Sequence, residues 1–156
     1  MEKKYLAILA CPKCGSDFKS EIKKESSKEV LEGRLLCKNC SQEYKIEDGI
    51  PFLYYSDGNS SQEGVREMFN ETPYGLLGAR GAMENKEAIN MATIQKTPWY
   101  LQEETVADKL ALEAGCGGGH LYTELCLNHA KIIGLDQTPN SLRHIQKLFR
   151  DHGKTA

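Results

Sequence analysis

The sequence has no apolar run approaching the roughly 18 residues that cross a bilayer, which excludes a spanning helix. It has no excess of positive charge: 20 basic residues stand against 22 acidic ones, a net charge of -2. No field of the whole chain is therefore available to hold nucleic acid non-specifically. The balance holds along the chain, with ten basic and ten acidic residues in 1–60 and ten and twelve in 61–156. There is no internal repeat. The histidines His120, His129, His144 and His152 fall at no metal-ligand spacing, although His120 adjoins a glycine loop and could touch a ligand there. The first apolar stretch, Tyr5 to Ala10, has six residues, against about 7–15 in a secretory segment. A cytoplasmic chain without membrane association is the expectation. What is present, 156 residues at 40% hydrophobic and a mean hydropathy of -0.52, suits a soluble globular chain of one domain or two small ones.

Three regions follow from the patterning. Residues 1–56 hold four of the six cysteines and short apolar runs of strand length. The mostly charged stretch Lys19 to Lys28 is expected to be a solvated hairpin arm or loop. Residues 57–105 open on a turn-rich linker, Asp57 to Gln62, and continue in helical patterns over Val65–Tyr74, Asn85–Gln95 and Trp99–Ala107, with a glycine-rich loop over Gly75–Gly81. Residues 106–156 alternate strand, glycine loop, helix, strand and helix. The whole is expected to be α/β: a β-rich N-terminal part, then a helical cap, then a unit in which strands and helices alternate.

Cys11-Pro12-Lys13-Cys14 and Cys37-Lys38-Asn39-Cys40 are two C-x-x-C knuckles separated by 22 residues. Two sulfurs three positions apart on a tight turn can bind one ion together, and two such turns complete a tetrahedron. Thiolates favour zinc over magnesium or calcium. A redox C-x-x-C occurs once and opens a helix after a strand, and an iron–sulfur site has another spacing habit. Four cysteine ligands leave no coordination position for water, so the zinc is structural. A module of this size has a small core, and a structural zinc is worth about 10–16 kcal/mol in small peptides, enough to decide whether it folds. Cys116 and Cys126 lie outside any such spacing.

The flanks of the knuckles point further. Leu9-Ala10-Cys11-Pro12-Lys13-Cys14 and Tyr44-Lys45-Ile46-Glu47-Asp48-Gly49-Ile50-Pro51 give "L-x-C-P-x-C" and "Y-x-I-x-D-G-I-P". Over residues 1–55 this resembles the small zinc-ribbon activator subunits of tRNA and protein methyltransferases, and their bacterial short homologues. Asp48-Gly49 also reads locally as a tight hairpin turn, with Pro51 at a strand start or edge.

The second feature is Leu110-Ala111-Leu112-Glu113-Ala114-Gly115-Cys116-Gly117-Gly118-Gly119-His120, an apolar strand running into glycines at alternate positions. Glycine lets the backbone turn sharply and lets a ligand come close. A helix beginning at Leu121 would place a nucleotide-like ligand at its start. His120 spoils the sixth position of a dinucleotide loop, G-x-G-x-x-G/A. A second apolar strand, Lys131 to Leu135, ends in Asp136, 17 residues after Gly119. An acid at the end of strand two binds ribose hydroxyls in Rossmann-like sheets. Thr138 is a plausible N-cap for the helix that follows, with Pro139 in its first turn.

"E-x-G-x-G-x-G" and "G-L-D-x-T-P-N-S-L" resemble motif I and the segment after it in class I S-adenosylmethionine-dependent methyltransferases. That resemblance implies S-adenosylmethionine as cofactor, held by Glu113, Gly115, Cys116, Gly117, Gly119, Asp136 and Gln137. Glu113 would lie near the cationic methionine end. It also implies an aromatic cap over the cofactor, for which Phe69, Tyr74, Trp99 and Tyr100 are available; packing on the sheet is the plainer role for them. The expected fold is α/β: an N-terminal β-rich zinc ribbon over 1–56, a linker and helical cap over 57–105, and a truncated Rossmann-like methyltransferase domain over 106–156. The family's domain has seven strands, of which residues 106–156 supply the first two. The chain is thus expected to be a fragment, a truncated gene product or a subunit whose partner completes the sheet, and no catalytic residue is assigned. The expected activity is methyl transfer to tRNA, protein or a small molecule. The alternative is a non-catalytic zinc-ribbon activator or scaffold that docks on a separate methyltransferase.

Overall fold

In the computed structural model, residues 1–56, 58, 60–71, 103–119 and 131–151 are described. The chain divides into two compact units, Met1–Ser60 and Ser61–Ala156.

The first unit is built on an antiparallel sheet of four strands in the order β1 (Phe18–Glu25), β2 (Val30–Cys37), β3 (Glu43–Glu47) and β4 (Ile50–Pro51). Phe18 pairs with Cys37 at one end of the first hairpin and Glu25 with Val30 at the other. Lys19–Lys28 is thus a hairpin arm, and its turn is held by Ser26 Oγ, which accepts from the Glu29 N–H at 3.0 Å. Side chains alternate across the sheet. Leu35 and Cys37 of β2 and Tyr44 and Ile46 of β3 point into one core, with Val30 and Cys11, while Glu43 and Lys45 face water. On the outer face Arg34 bridges both neighbouring strands, donating to Glu21 at 2.9 Å and Glu43 at 3.1 Å. Asp48 and Gly49 have φ of 51° and 80°, the doubly left-handed turn that joins β3 to β4. Pro51, which has no N–H to donate, sits on the edge strand.

One element departs from the strand-length reading of residues 1–56. Lys3–Ile8 is a 3-10 helix. At three residues per turn, Leu6 and Leu9 lie on one side, and both pack against the core. Leucine and alanine make up four of the six residues of Tyr5–Ala10 and are good helix formers, so the short run winds rather than extends.

In the second unit, α1 spans Ser60–Glu71, α2 Glu103–Val106 and α3 Pro139–Asp151. Ser60, Ser61 and Gln62 are helical, so α1 begins within the stretch read as a linker. Turn-forming residues are tolerated in a first helical turn, where N–H groups have no intrahelical partner. Strand β5 (Leu110–Ala114) runs parallel to β6 (Lys131–Leu135), from the pair Leu110–Lys131 to the pair Ala114–Leu135. Residue Ile132 of β6 packs against a cluster of Cys116, Ile145, Leu148 and Phe149, three of them from α3. The patterns at Gly75–Gly81, Asn85–Gln95 and Leu121–Leu125 lie outside the described residues, as do Tyr74, Trp99, Tyr100, His120, Cys126, His129 and His152. No helix among the described residues is long and apolar enough to cross a membrane.

Candidate functional site

The two C-x-x-C knuckles meet. The first follows the 3-10 helix, and its turn is closed by the Cys11 N–H donating to Ser16 O and the Gly15 N–H donating to Cys11 O. The second begins at the last residue of β2, where the Cys37 N–H donates to Gln42 O. A bond from the Lys38 N–H to Asp17 O at 3.0 Å ties one knuckle to the other. The four sulfurs lie within 4.8 Å of one another, with Cys11 and Cys40 3.6 Å apart and Cys14 and Cys37 3.4 Å apart. A tetrahedron with metal–sulfur bonds of about 2.3 Å has edges of about 3.8 Å, so the cluster fits one zinc with little movement. None of the four is in a disulfide. Cys11 and Cys37 are buried, Cys40 is half-buried and Cys14 is exposed.

Charge on the sulfurs is already favoured in part. Burial pushes the Cys11 thiol up, but the Tyr44 hydroxyl and the N–H groups of Cys14 and Lys13 outweigh it and bring it down to about 6. Cys37 is lowered, chiefly by the Cys40 N–H, which lies 3.4 Å from its sulfur. At Cys40 a bond from the Gln42 N–H lowers the pKa, yet burial and the three neighbouring sulfurs raise it to about 12. Four sulfurs this close cannot all ionise unless a cation joins them, and a divalent ion with an affinity for thiolate is the natural one.

The second site is the glycine loop. After β5, Gly115, Gly117 and Gly119 take φ of 74°, 49° and 82°, and the N–H groups of Gly115 and Cys116 both donate to Leu135 O. The loop is thereby pinned to the end of β6. Asp136 completes it: Oδ2 accepts from the Gly117 N–H and Oδ1 from the Thr138 N–H, each at 2.8 Å, and the Thr138 hydroxyl also donates to Oδ1. Thr138 Oγ1 in turn shares a 2.7 Å hydrogen bond with Ser141 Oγ. A cavity of about 580 Å³ opens beside this network, lined by Gly115, Gly117, Asp136, Gln137, Thr138 and Ser141, with Phe69 of α1.

The cavity gathers some of the expected residues and not others. Gly115, Gly117, Asp136 and Gln137 line it; Glu113, Cys116 and Gly119 are not among its lining residues. Cys116 is buried in the cluster with Ile145, Leu148 and Phe149, and burial, then the charges of Asp136 and Glu113, push its thiol up to about 12. Gly119 lies against α3, where an added Cβ would come within 2.7 Å of the Ile145 side chain. Both therefore have a packing role. Ser141 and Tyr44 had no role assigned from the sequence. Ser141 was legible as the third residue after the N-cap Thr138, on the same first turn; Tyr44 has no local signal beyond its place on the buried side of β3.

Helix α1 is fastened over this region. Arg66 Nε donates to Gln137 O at 2.9 Å, and Asn140 donates twice to Asn70, from its backbone N–H and from its side-chain amide. These contacts set Phe69, one residue before Asn70, at the cavity.

A four-cysteine cluster on two knuckles of an antiparallel sheet defines a zinc-ribbon, metal-binding class of protein. The chain belongs to the Trm112p-like family. The model of that family, described as Trm112p-like protein, matches residues 2–49. The UPF0434 protein of Hahella chejuensis is 43% identical over 53 residues, 34% of this chain and 75% of that protein. A chain from the solved complex between the Haloferax volcanii Trm112 methyltransferase activator and a candidate methyltransferase is 34% identical, with a TM-score of 0.35; the match covers 35% of this chain and 93% of that one.

Proposed function

We propose that the chain acts as a zinc-ribbon activator or scaffold: Met1–Ser60, folded around one zinc, docks on a methyltransferase and supports its activity. The observation that carries this reading is the four-sulfur cluster within the segment that matches the Trm112p-like family. The motifs flanking the knuckles support it, since they resemble small activator subunits of methyltransferases. Cys11, Cys14, Cys37 and Cys40 would hold the ion, whose part is to cross-link the knuckles. The ribbon's own residues do the rest: the sheet fixes the knuckles, and the shared core of Cys11, Leu35, Tyr44 and Ile46 ties metal binding to folding. The test is to titrate the purified full chain into a purified class I methyltransferase from the same genome and follow tritiated methyl transfer. The zinc-loaded chain is expected to raise the rate, and Cys37→Ser is expected not to.

A second reading concerns Ser61–Ala156: a partial Rossmann-like unit that binds S-adenosylmethionine. It is favoured by the cavity in which the glycine loop, Asp136 and Gln137 converge. In this reading Asp136 accepts from the ribose hydroxyls, Gly117 allows close approach and Phe69 covers the ligand. Among the described residues the cavity lining holds the carboxylate of Asp136 and no cationic side chain, which suits a ligand without phosphate. The cofactor would supply an activated methyl group; the acceptor is tRNA, protein or a small molecule. Calorimetry of the full chain with S-adenosylmethionine tests it: heat of binding that is lost in Gly117→Arg supports it, and no heat with wild type contradicts it.

A further inference from the structure

Beside the metal cluster lies a polar side chain that is neither a ligand nor a neighbour in sequence of a ligand. Tyr44, on β3, brings its hydroxyl to 3.6 Å from Cys11 Sγ. Both residues are buried, at 5% and 2% of their full exposure. The ring is held in place by the edge of Phe18, with centroids 5.6 Å apart and planes at 73°. Strand alternation fixes the rest, because Tyr44 and Ile46 share the core side of β3 and Leu35, directly opposite Tyr44, lies on the same side.

The direction of this hydrogen bond follows from the metal. A sulfur that ligates zinc is a thiolate and has no proton to give. The hydroxyl must then be the donor, and the sulfur the acceptor. Of the four ligands Cys11 is the most deeply buried, so it has the least access to water that could do the same. Metal ligands are held in orientation by such outer partners, and the loss of one costs about ten- to a hundredfold in metal affinity.

We propose that Tyr44 is a positioning residue of the metal centre, whose hydroxyl donates to the Cys11 thiolate and holds that sulfur in its coordination position. This inference rests on the reading of the cluster as a zinc site.

The test uses the full chain. Zinc affinity is measured by competition with a chromophoric chelator for wild type, Tyr44→Phe and Phe18→Leu. Tyr44→Phe keeps the ring and removes only the hydroxyl; it is expected to weaken zinc binding by about ten- to a hundredfold with an unchanged far-ultraviolet circular dichroism spectrum. In the cobalt-loaded protein the sulfur-to-cobalt charge-transfer band is expected at lower energy in Tyr44→Phe, since a thiolate relieved of its hydrogen bond gives up charge more readily. Phe18→Leu, which loosens the ring but keeps the hydroxyl, is expected to shift that band the same way by less than Tyr44→Phe does. Equal zinc affinity and an equal cobalt band in wild type and Tyr44→Phe would overturn the proposal. Should Tyr44→Phe not fold, the cadmium-113-loaded wild type decides: a slowly exchanging Tyr44 hydroxyl proton coupled to the metal supports it, and its absence overturns it. A wild type that takes up no metal overturns the zinc reading and this inference together, whereas uptake without a Tyr44 effect overturns this inference alone.

Discussion

Asn140 donates its backbone N–H to Asn70 Oδ1 at 2.9 Å and its side-chain Nδ2 to Asn70 O at 2.8 Å, so two residues 70 positions apart grip each other through main chain and side chain. The pair satisfies two groups that helices leave open: an N–H in the first turn of α3 and a carbonyl in the last turn of α1. It also fixes the position of Phe69 at the cavity. Replacing Asn70 with alanine removes the side-chain acceptor and loosens the grip. The expected cost is about 0.5–1.5 kcal/mol in chemical denaturation. Hydrogen exchange over residues 60–71 should accelerate more than over α3. Unchanged exchange in α1 would contradict the clasp.

The ribbon was more legible in the sequence than the second unit, for physical reasons. Two C-x-x-C knuckles, the Asp48-Gly49 turn and the alternation of Tyr44 and Ile46 are local signals, and the sheet is built from near neighbours. The 3-10 helix at Lys3–Ile8 was not legible, because its apolar run has only the length of a strand and the packing of Leu6 and Leu9 decides its conformation. The start of α1 was hidden by serines and glutamine that read as a turn. The Asn70–Asn140 and Tyr44–Cys11 bonds join residues far apart in the chain, and no local pattern announces such pairs. At the glycine loop the pattern marked Gly115, Gly117 and Gly119 alike; the first two line a cavity, whereas the neighbour of Gly119 is Ile145, a contact no local pattern announces.

Metal removal should act on the first unit. Atomic emission is expected to find one zinc per chain, from one cluster of four sulfurs. Chelation, or Cys37→Ser, should abolish amide protection over residues 1–56, because metal and core are shared and structural zinc is worth about 10–16 kcal/mol. A metal-free protein that keeps its protection there would contradict the zinc ribbon.

The buried Cys116 thiol predicts an alkaline dependence. Its pKa is raised from the usual 9.0 to about 12, so the unfolded thiol loses its proton before the folded one. Its contribution is fully present below pH 9 and is lost as pH rises from about 9 towards 12. Denaturant midpoints of the second unit at pH 8 and pH 10.5 should therefore fall further in wild type than in Cys116→Ala. Parallel pH dependence in the two proteins would contradict this.

Asp136 has two duties, accepting from the loop N–H groups and facing the cavity. If S-adenosylmethionine binds there, Asp136→Ala should weaken binding by about ten- to a hundredfold, the equivalent of a charge-assisted hydrogen bond worth roughly 1.5–3 kcal/mol. Calorimetry measures this directly. Equal affinity in wild type and variant would place the ribose elsewhere.

Activator and enzyme are separated most directly by tritiated methyl transfer with the zinc-loaded chain as sole protein, offered bulk tRNA, protein extract and small acceptors. An activator supplies no reaction centre of its own, and holding an acceptor in line with the methyl group can lower a barrier by about 7–11 kcal/mol only where residues exist to do it. No labelling above a Gly117→Arg control is expected from the chain alone, and labelling is expected once a cognate methyltransferase is added. Multiple turnovers by the chain alone, abolished in Gly117→Arg, would contradict the activator reading and make the chain itself the enzyme.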